Sequence, residues 1–369
     1  MKKLCTPTSK TLENKYDQED KISSLPEPIL HHILSYLPTK DAAKTSALSK
    51  TWNSSWKSFP ILDFNQYSFQ ESACSRTAHK NLTQLTQDFC DYVDEVLTSR
   101  KGLTISIQKF QVVVNFQRYR LRYHRNLDRW LNYAIENNVE DLVLAYHTRD
   151  TTKDGHWYYD LPPSLFRAKS LENLDLFGCK FTASRLSTGI GFSLRKLRLS
   201  RVYIDQETLQ HIVATSSCLL EELSVQFCKG FQVLRVAGSK LESVDLYLGR
   251  DQVQIVAVAA PNLRSLSYGG GSASVQGSLQ ASDKYENLKQ LRLHDTDITD
   301  EFFRVIPEFP GLEKLEVNRC CLLETIRIFS VQILDLCICK CVRLKEIELH
   351  TRHLNRFRYD GYDVDLQGF

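Results

Sequence analysis

Between Lys21 and Phe59 the apolar positions fall at helical spacing in three short pieces. Ile29, Leu30, Ile33, Leu34 and Leu37 recur at steps of one, three and four, which lines one face of a helix that Pro28 starts and Pro38 stops. Thr39 is placed to cap a second helix over 41–48, with Asp41 in its first turn, where a negative charge suits the helix dipole. Ser49 caps a third, in which Trp52 and Trp56 stand four apart and share a face. So short a piece buries too little surface to be comfortably stable alone. Its aliphatic residues and two indoles exceed what three short helices hide, which points to a helix-packing interface.

Downstream the period changes. Phe59 to Phe64 reads as an extended segment, Leu82 to Leu97 as a helix, Leu103 to Phe116 as strand and Leu127 to Ile135 as another helix, together an irregular cap over the first repeat of a solenoid. From there a frame LxxLxL begins at Val139, Leu171, Leu194, Leu220, Leu241, Leu263, Leu288, Leu312 and Leu344, with further matches at Phe231, Leu323, Val331 and Leu354. Most steps fall within the roughly 20 to 29 residues of leucine-rich repeats. The frame turns alternate aliphatic side chains of a short strand inward, and the return segment stacks the next strand beside it in a curved parallel sheet. Phe181, Ile204, Ile298 and Leu322, ten after a frame start, suit the inward position of the return. Cys179, Cys228, Cys320 and Cys339 stand eight after Leu171, Leu220, Leu312 and Val331, the place where the repeat consensus carries Asn or Cys. The expected fold is α/β: three helices, then a leucine-rich-repeat solenoid with a parallel sheet on its concave face. The expected divisions are a disordered tail at 1–20, a helical module at 21–60, a junction and cap at 61–138, and repeats at 139–369.

Charge changes this picture little. Lys and Arg number 47 against 44 acidic residues, a formal charge of +3, far from the excess of a dedicated nucleic-acid binder. The polar stretch 1–20 lacks an apolar run of the signal-peptide kind, and no stretch approaches a membrane span of about 18 apolar residues. A soluble protein of the cytoplasm or nucleus is expected, with no membrane partner. The odd total of 11 cysteines, spread along the chain, argues against a disulfide framework. A zinc site built from Cys320, Cys321, Cys337, Cys339 and Cys341 lacks the paired CxxC spacing, so the cysteines are expected as repeat residues and no metal is expected. Phosphate-loop, HExxH and GxSxG motifs are absent from the sequence, and Gly269-Gly270-Gly271 lacks the frame of a phosphate cradle. Neither catalytic residues nor a cofactor is expected.

The run LPEPILHHILSYLPTKDAAKTSALSKTWNSSW, with Leu25-Pro26, Ile33-Leu34, Leu37-Pro38, Leu48-Ser49-Lys50, Trp52 and Trp56 in order, resembles the F-box, especially the form in the plant F-box and leucine-rich-repeat family. The match covers about 40 residues without a gap; Thr51 departs from the Arg more usual after Lys50. The resemblance implies a substrate-recognition subunit of an SCF-type ubiquitin ligase. Leu25, Pro26, Ile29, Ile33, Leu34, Leu37, Leu48 and Trp52 would then form or support the contact with the Skp-type adaptor, and through it the cullin.

On the repeat sheet, residues between the aliphatics face outward: Asp175, Phe177, Lys196, Arg198, Gln226, Asp245, Tyr247, Arg292, His294, Glu316, Asn318, Glu348 and His350. Their mixed charge suits a protein or peptide, and Arg198, Tyr247, Arg292 and His294 are the candidates for binding the substrate. Two other readings use the same chain. One is a small-molecule sensor on the same scaffold; the other is a nucleic-acid-associated protein gripping through Arg118, Arg120, Arg122, Arg125 and Arg129, which alternate with Tyr119, Tyr123 and His124.

Overall fold

A computed structural model describes residues 22–74, 81–103, 105–116, 120–147, 151–152, 155–156, 158–182, 191–249, 253, 255–270 and 285–367. The tail expected at 1–20, and Arg118 and Tyr119, lie outside them. The chain divides into two compact units, Met1–Phe59 and Pro60–Phe369.

The first unit is three helices. α1, Glu27–Ser35, comes after Pro26 at its N-cap and carries Pro28 in its first turn, where a missing N–H and a fixed φ are no loss. Leu30 and Leu34 are its buried residues. α2 spans Thr39–Thr45 with Pro38 at the N-cap. Thr39 is therefore the first helical residue and not the cap: Pro38, at φ −53° and ψ 142°, already sets the entry. The helix stops short of Leu48 because Ala47 and Leu48 donate to Lys44 and Thr45, three residues back, tightening the last turn. α3, Lys50–Ser58, starts where the Ser49 hydroxyl accepts from the Trp52 N–H at 3.2 Å. Trp52 and Trp56 are both buried. His31 ties α1 to α3, its Nε2 standing 3.1 Å from the Ser55 carbonyl.

The second unit is built on a twelve-stranded parallel sheet in sequence order. Its strands are β1 (Ile61–Asn65), β2 (Lys109–Asn115), β3 (Asp141–His147), β4 (Asn173–Phe177), β5 (Lys196–Ser200), β6 (Glu222–Gln226), β7 (Ser243–Tyr247), β8 (Ser265–Gly269), β9 (Gln290–His294), β10 (Lys314–Asn318), β11 (Asp335–Cys339) and β12 (Arg356–Asp360). The sheet begins at Ile61, so 61–138 is not an irregular cap: it holds two full strands of the array. Their returns are long. α4 (Gln66–Cys74) and α5 (Leu82–Ser99) join β1 to β2, and α6 (Arg120–Glu136) joins β2 to β3. Connections of that length break the repeat spacing. Asp94 of α5 locks the two long helices together, accepting from Trp130 Nε1 at 2.7 Å and from Arg129 at 2.6 Å.

From β3 through β10 each strand starts two residues after a frame start, and the frame's aliphatics fill the core; Leu197, Leu199, Leu291 and Leu293 are 0% exposed. The same frame also builds strands on the return side. Phe231, Leu323 and Leu344 begin Val233–Ala237, Thr325–Phe329 and Glu346–His350. Val233–Ala237 pairs with Ile255–Ala259, while Thr325–Phe329 pairs with Glu346–His350 and that strand with Asp365–Gln367. Glu348 and His350 are thus not on the main sheet. A period of two is common to strands of either layer, so alternation alone could not separate them.

In the main sheet the frame restarts at Ile333, which is buried, and not at the exposed Val331. Cys341, not Cys339, is therefore the fourth cysteine at the repeated offset of eight, and Cys179, Cys228, Cys320 and Cys341 are all buried. Burial raises the thiols of Cys179 and Cys228, the latter to about 12. Phe181, Ile204 and Ile298 fill the core, but Leu322 is exposed. Just past their strands, Gly178, Arg201, Phe227, Gly270, Asp295, Arg319 and Lys340 all take positive φ, the left-handed step that swings the chain off the sheet.

Candidate functional site

The strand register fixes what lies side by side on the outward face. One row runs Asp175, Arg198, Ser224, Asp245, Ser267, Arg292, Glu316, Cys337, Arg358 from β4 to β12. Its middle is low. Ser224, Asp245 and Ser267, with Ser243 and Ser265 beside them, stand between two arginines and line a cavity of about 360 Å³ bordered by Asp175, Arg198, Glu222 and Arg292. Arg198 and Arg292 are four strands apart, roughly 19 Å at a spacing of about 4.8 Å per strand.

Each arginine is held by a carboxylate: Arg198 by Glu222 at 3.0 Å, Arg292 by Glu316 at 3.6 Å. Glu222 also takes Lys196 at 2.8 Å. The hydrogen bond from Lys196 and the nearby cations hold the Glu222 carboxyl below its ordinary range, although its burial opposes them. Desolvation raises Asp175, while Arg198 and Lys109 pull it back. Asp245 accepts from Gln226 Nε2 at 2.5 Å and from Ser224 Oγ at 3.3 Å.

Above the trough is an aromatic rim. Tyr247 packs on the exposed Phe227 with ring centroids 4.5 Å apart, and Phe227 is one of the left-handed non-glycine residues, at φ 53°. His294 sits half-buried at the end of β9, level with Gly269. The four residues expected to bind substrate thus share one sheet: Arg198 and Arg292 wall the trough, and Tyr247 and His294 stand one row beyond it. Phe227, Asp295 and the serines were not foreseen. Ser and Gly carry no pattern of their own; only the register makes their neighbours arginines.

In the helical unit the eight expected contact residues separate by burial. Pro26, Ile29, Leu37 and Leu48 are exposed, Ile29 by 46% and Leu48 by 70%, and Leu25 and Ile33 are half-buried. Leu34 and Trp52 are buried inside, at 0% and 6%. Buried as they are, these two suit the supporting part of the expectation that the eight residues form or support the contact. Tyr36, 76% exposed, joins the apolar surface.

Neither of two other candidate clusters makes a comparable site. Arg122, Arg125 and Arg129 lie at helical spacing on α6, but Arg129 is engaged by Asp94. Cys337 Sγ lies 3.5 Å from Cys339 Sγ; among the described residues no group of three or more His, Cys, Asp or Glu is arranged to hold a metal.

Residues 96–286 match the family model described as the At1g61320/AtMIF1 LRR domain, and residues 22–64 match the F-box domain. The first match alone spans half of the chain. The chain belongs to the F-box/LRR-repeat protein family. Among relatives of this F-box/LRR chain in Arabidopsis thaliana, F-box/LRR-repeat protein At3g03360 is 30% identical over 252 residues, covering 67% of this chain and 47% of the relative. F-box/FBD/LRR-repeat protein At1g13570 is 28% identical over 252 residues, 68% and 54% of the two chains. F-box/LRR-repeat protein 13 is 27% identical over 265 residues, 68% and 52%. The F-box/LRR chain spans about half the length of the curated relatives it matches. Among its described residues no helix is long and apolar enough to cross a membrane.

Proposed function

We propose that this chain is a non-catalytic substrate-recognition adaptor of an SCF-type ubiquitin ligase. Residues 21–60 dock on the Skp-type adaptor, which holds the cullin, and the repeats bind the protein to be ubiquitinated, in the cytoplasm or nucleus. The observation that carries the reading is the apolar surface of the helical unit. Ile29, Tyr36, Leu37 and Leu48 are each at least 36% exposed on a small three-helix unit, a surface suited to hydrophobic anchoring in a lasting subunit contact.

The repeat face supports the other half of the role. Along its central row Asp175, Arg198, Asp245, Arg292, Glu316 and Arg358 mix both signs, which fits a protein surface better than the single-sign field that nucleic acid requires. The test is reconstitution. Purified chain mixed with a Skp-type adaptor is expected to co-elute as one complex on size exclusion. Separate elution at micromolar concentrations of both would overturn the reading.

A further inference from the structure

The trough between Arg198 and Arg292 has a chemistry set by its floor. Asp245 is the charged group at its centre, half-buried, with neutral donors on it: Gln226 at 2.5 Å and Ser224 at 3.3 Å. Among the described residues no cation is within ion-pair distance of it. A carboxylate carries about four lone-pair sites, so its present donors leave room for another. The two wall arginines are each two strands away, about 10 Å at a strand spacing of about 4.8 Å. Both are also engaged by other carboxylates, Glu222 and Glu316. With both arginines so paired, a cation entering the trough is drawn to Asp245, and Asp175 and Glu222 at the border add to the attraction.

The floor is also the right size. Serines at positions 224, 243, 265 and 267 leave a recess of about 360 Å³, where longer side chains would fill the space between the arginines. Serine hydroxyls can accept as well as donate, so they suit an ammonium or guanidinium as supporting ligands.

The walls add a second requirement. A segment in polyproline II conformation advances about 3.1 Å per residue with three residues per turn, so residues three apart share one face and stand about 9 Å from each other, close to the separation of Asp245 from either arginine. Arg198 and Arg292 lie at equal distance on the two sides, because each is two register steps from Asp245.

We propose that the trough takes a lysine or arginine side chain of a substrate segment in polyproline II conformation, seated on Asp245, with acidic residues three positions before and after it meeting Arg198 and Arg292. This rests on the reading of the sheet face as the substrate surface, and it names the substrate class: an acidic–x–x–basic–x–x–acidic segment of a protein.

The test uses the full chain and fluorescein-labelled nine-residue peptides of the sequence Gly-Glu-Ser-Gly-Lys-Gly-Ser-Glu-Gly, with the central Lys also changed to Ala or Glu and the two Glu to Ala. Binding is read by fluorescence anisotropy. The Lys-centred peptide is expected to bind at least about tenfold more tightly than the Ala-centred one, the size of one charge-assisted hydrogen bond. Asp245→Asn should remove that difference, and Arg198→Ala with Arg292→Ala should remove the preference for the flanking Glu. Equal affinity for the three central residues, or no binding of any peptide, overturns the proposal; the peptide comparison itself needs no variant to fold. Co-elution with the Skp-type adaptor is measured on the same preparation. Chain that binds the adaptor but no peptide leaves the ligase reading standing and removes the trough, and chain that binds the peptide but not the adaptor does the reverse.

Discussion

The phenol of Tyr247 reaches across a whole strand to donate to Asp295 Oδ2 at 2.6 Å. It can do so because β8, lying between them, ends in Gly269. A Cβ on Gly269 would stand 2.7 Å from the Tyr247 ring, and one on Gly270 2.9 Å from it. The aromatic rim over the trough is therefore set by glycine on the neighbouring strand.

Gly269→Ala is expected to push the Tyr247 ring off and to break its bond to Asp295. Crowding of this kind costs about 1–3 kcal/mol, whereas Tyr247→Phe removes only the hydrogen bond, about 1 kcal/mol. Because both act on one contact, the double variant should be less destabilised than the sum of the singles. Urea denaturation of the four proteins checks this; strict additivity would mean that the ring does not depend on the glycine.

Gly178 and Gly102 provide a controlled comparison at positive φ. Gly178, at φ 70°, would place a Cβ 2.1 Å from the Tyr146 carbonyl oxygen, while Gly102, at φ 84°, has nothing within 4 Å. Both alanine variants bear the left-handed strain of about 1 kcal/mol, but only Gly178→Ala must also move backbone. It should lose at least about 2 kcal/mol more than Gly102→Ala, read from denaturation midpoints at unchanged slope.

A charge on the helical unit should act differently according to burial. Ile29→Asp and Leu48→Asp, at exposed positions, are expected to keep helical circular dichroism and thermal stability within about 0.5 kcal/mol while abolishing co-elution with the Skp-type adaptor. Leu34→Asp, at a fully buried position, should unfold the unit, since an unpaired charge inside costs several kcal/mol, about 3–5. Undiminished adaptor binding by Ile29→Asp and Leu48→Asp together would move the docking face elsewhere.

His147 gives the repeat unit an acid sensitivity. Its ring lies on Phe177 at 4.6 Å, and burial first, then Arg201, lowers its pKa from the ordinary 6.5. The unfolded chain thus takes up this proton more readily than the folded one. Stability is unaffected at alkaline pH and falls as pH drops through the unfolded value. His147→Gln should flatten the stability profile between about pH 7 and 5, measured by urea melts across that range; an unchanged slope would mean that the ring is not held neutral.

Much of the fold was legible because LxxLxL carries its own burial instruction: Leu194, Leu220 and Leu241 each precede a strand of the main sheet by two residues. β1 and β2 were legible as an extended segment and a strand but not as members of the array, because α5 and α6 stretch the returns beyond repeat length and leave no self-similar spacing. The strands at Val233 and Glu346 were legible as strands but not as the other layer, since alternation is the same on both. The site was only half legible. Arg198 and Arg292 announce themselves by charge, but the recess between them consists of serines some twenty residues apart, whose adjacency exists only once the register is known. Leu34 and Leu37 share a helix spacing, and nothing in that spacing tells which one is buried.

The register has an evolutionary corollary. In this array the neighbours that matter to a side chain on the face are not the adjacent residues but those one repeat away: Arg198 touches Glu222, while Leu197 and Leu199 point into the core. Substitutions at intervals of about one repeat, roughly 20 to 29 residues, should therefore be non-additive. A change at 198 alters the setting of 222, and one at 224 that of 245, while leaving its own sequence neighbours untouched. New binding preferences would accordingly be acquired in correlated sets running across the strands, with the inward-facing frame free to stay as it is.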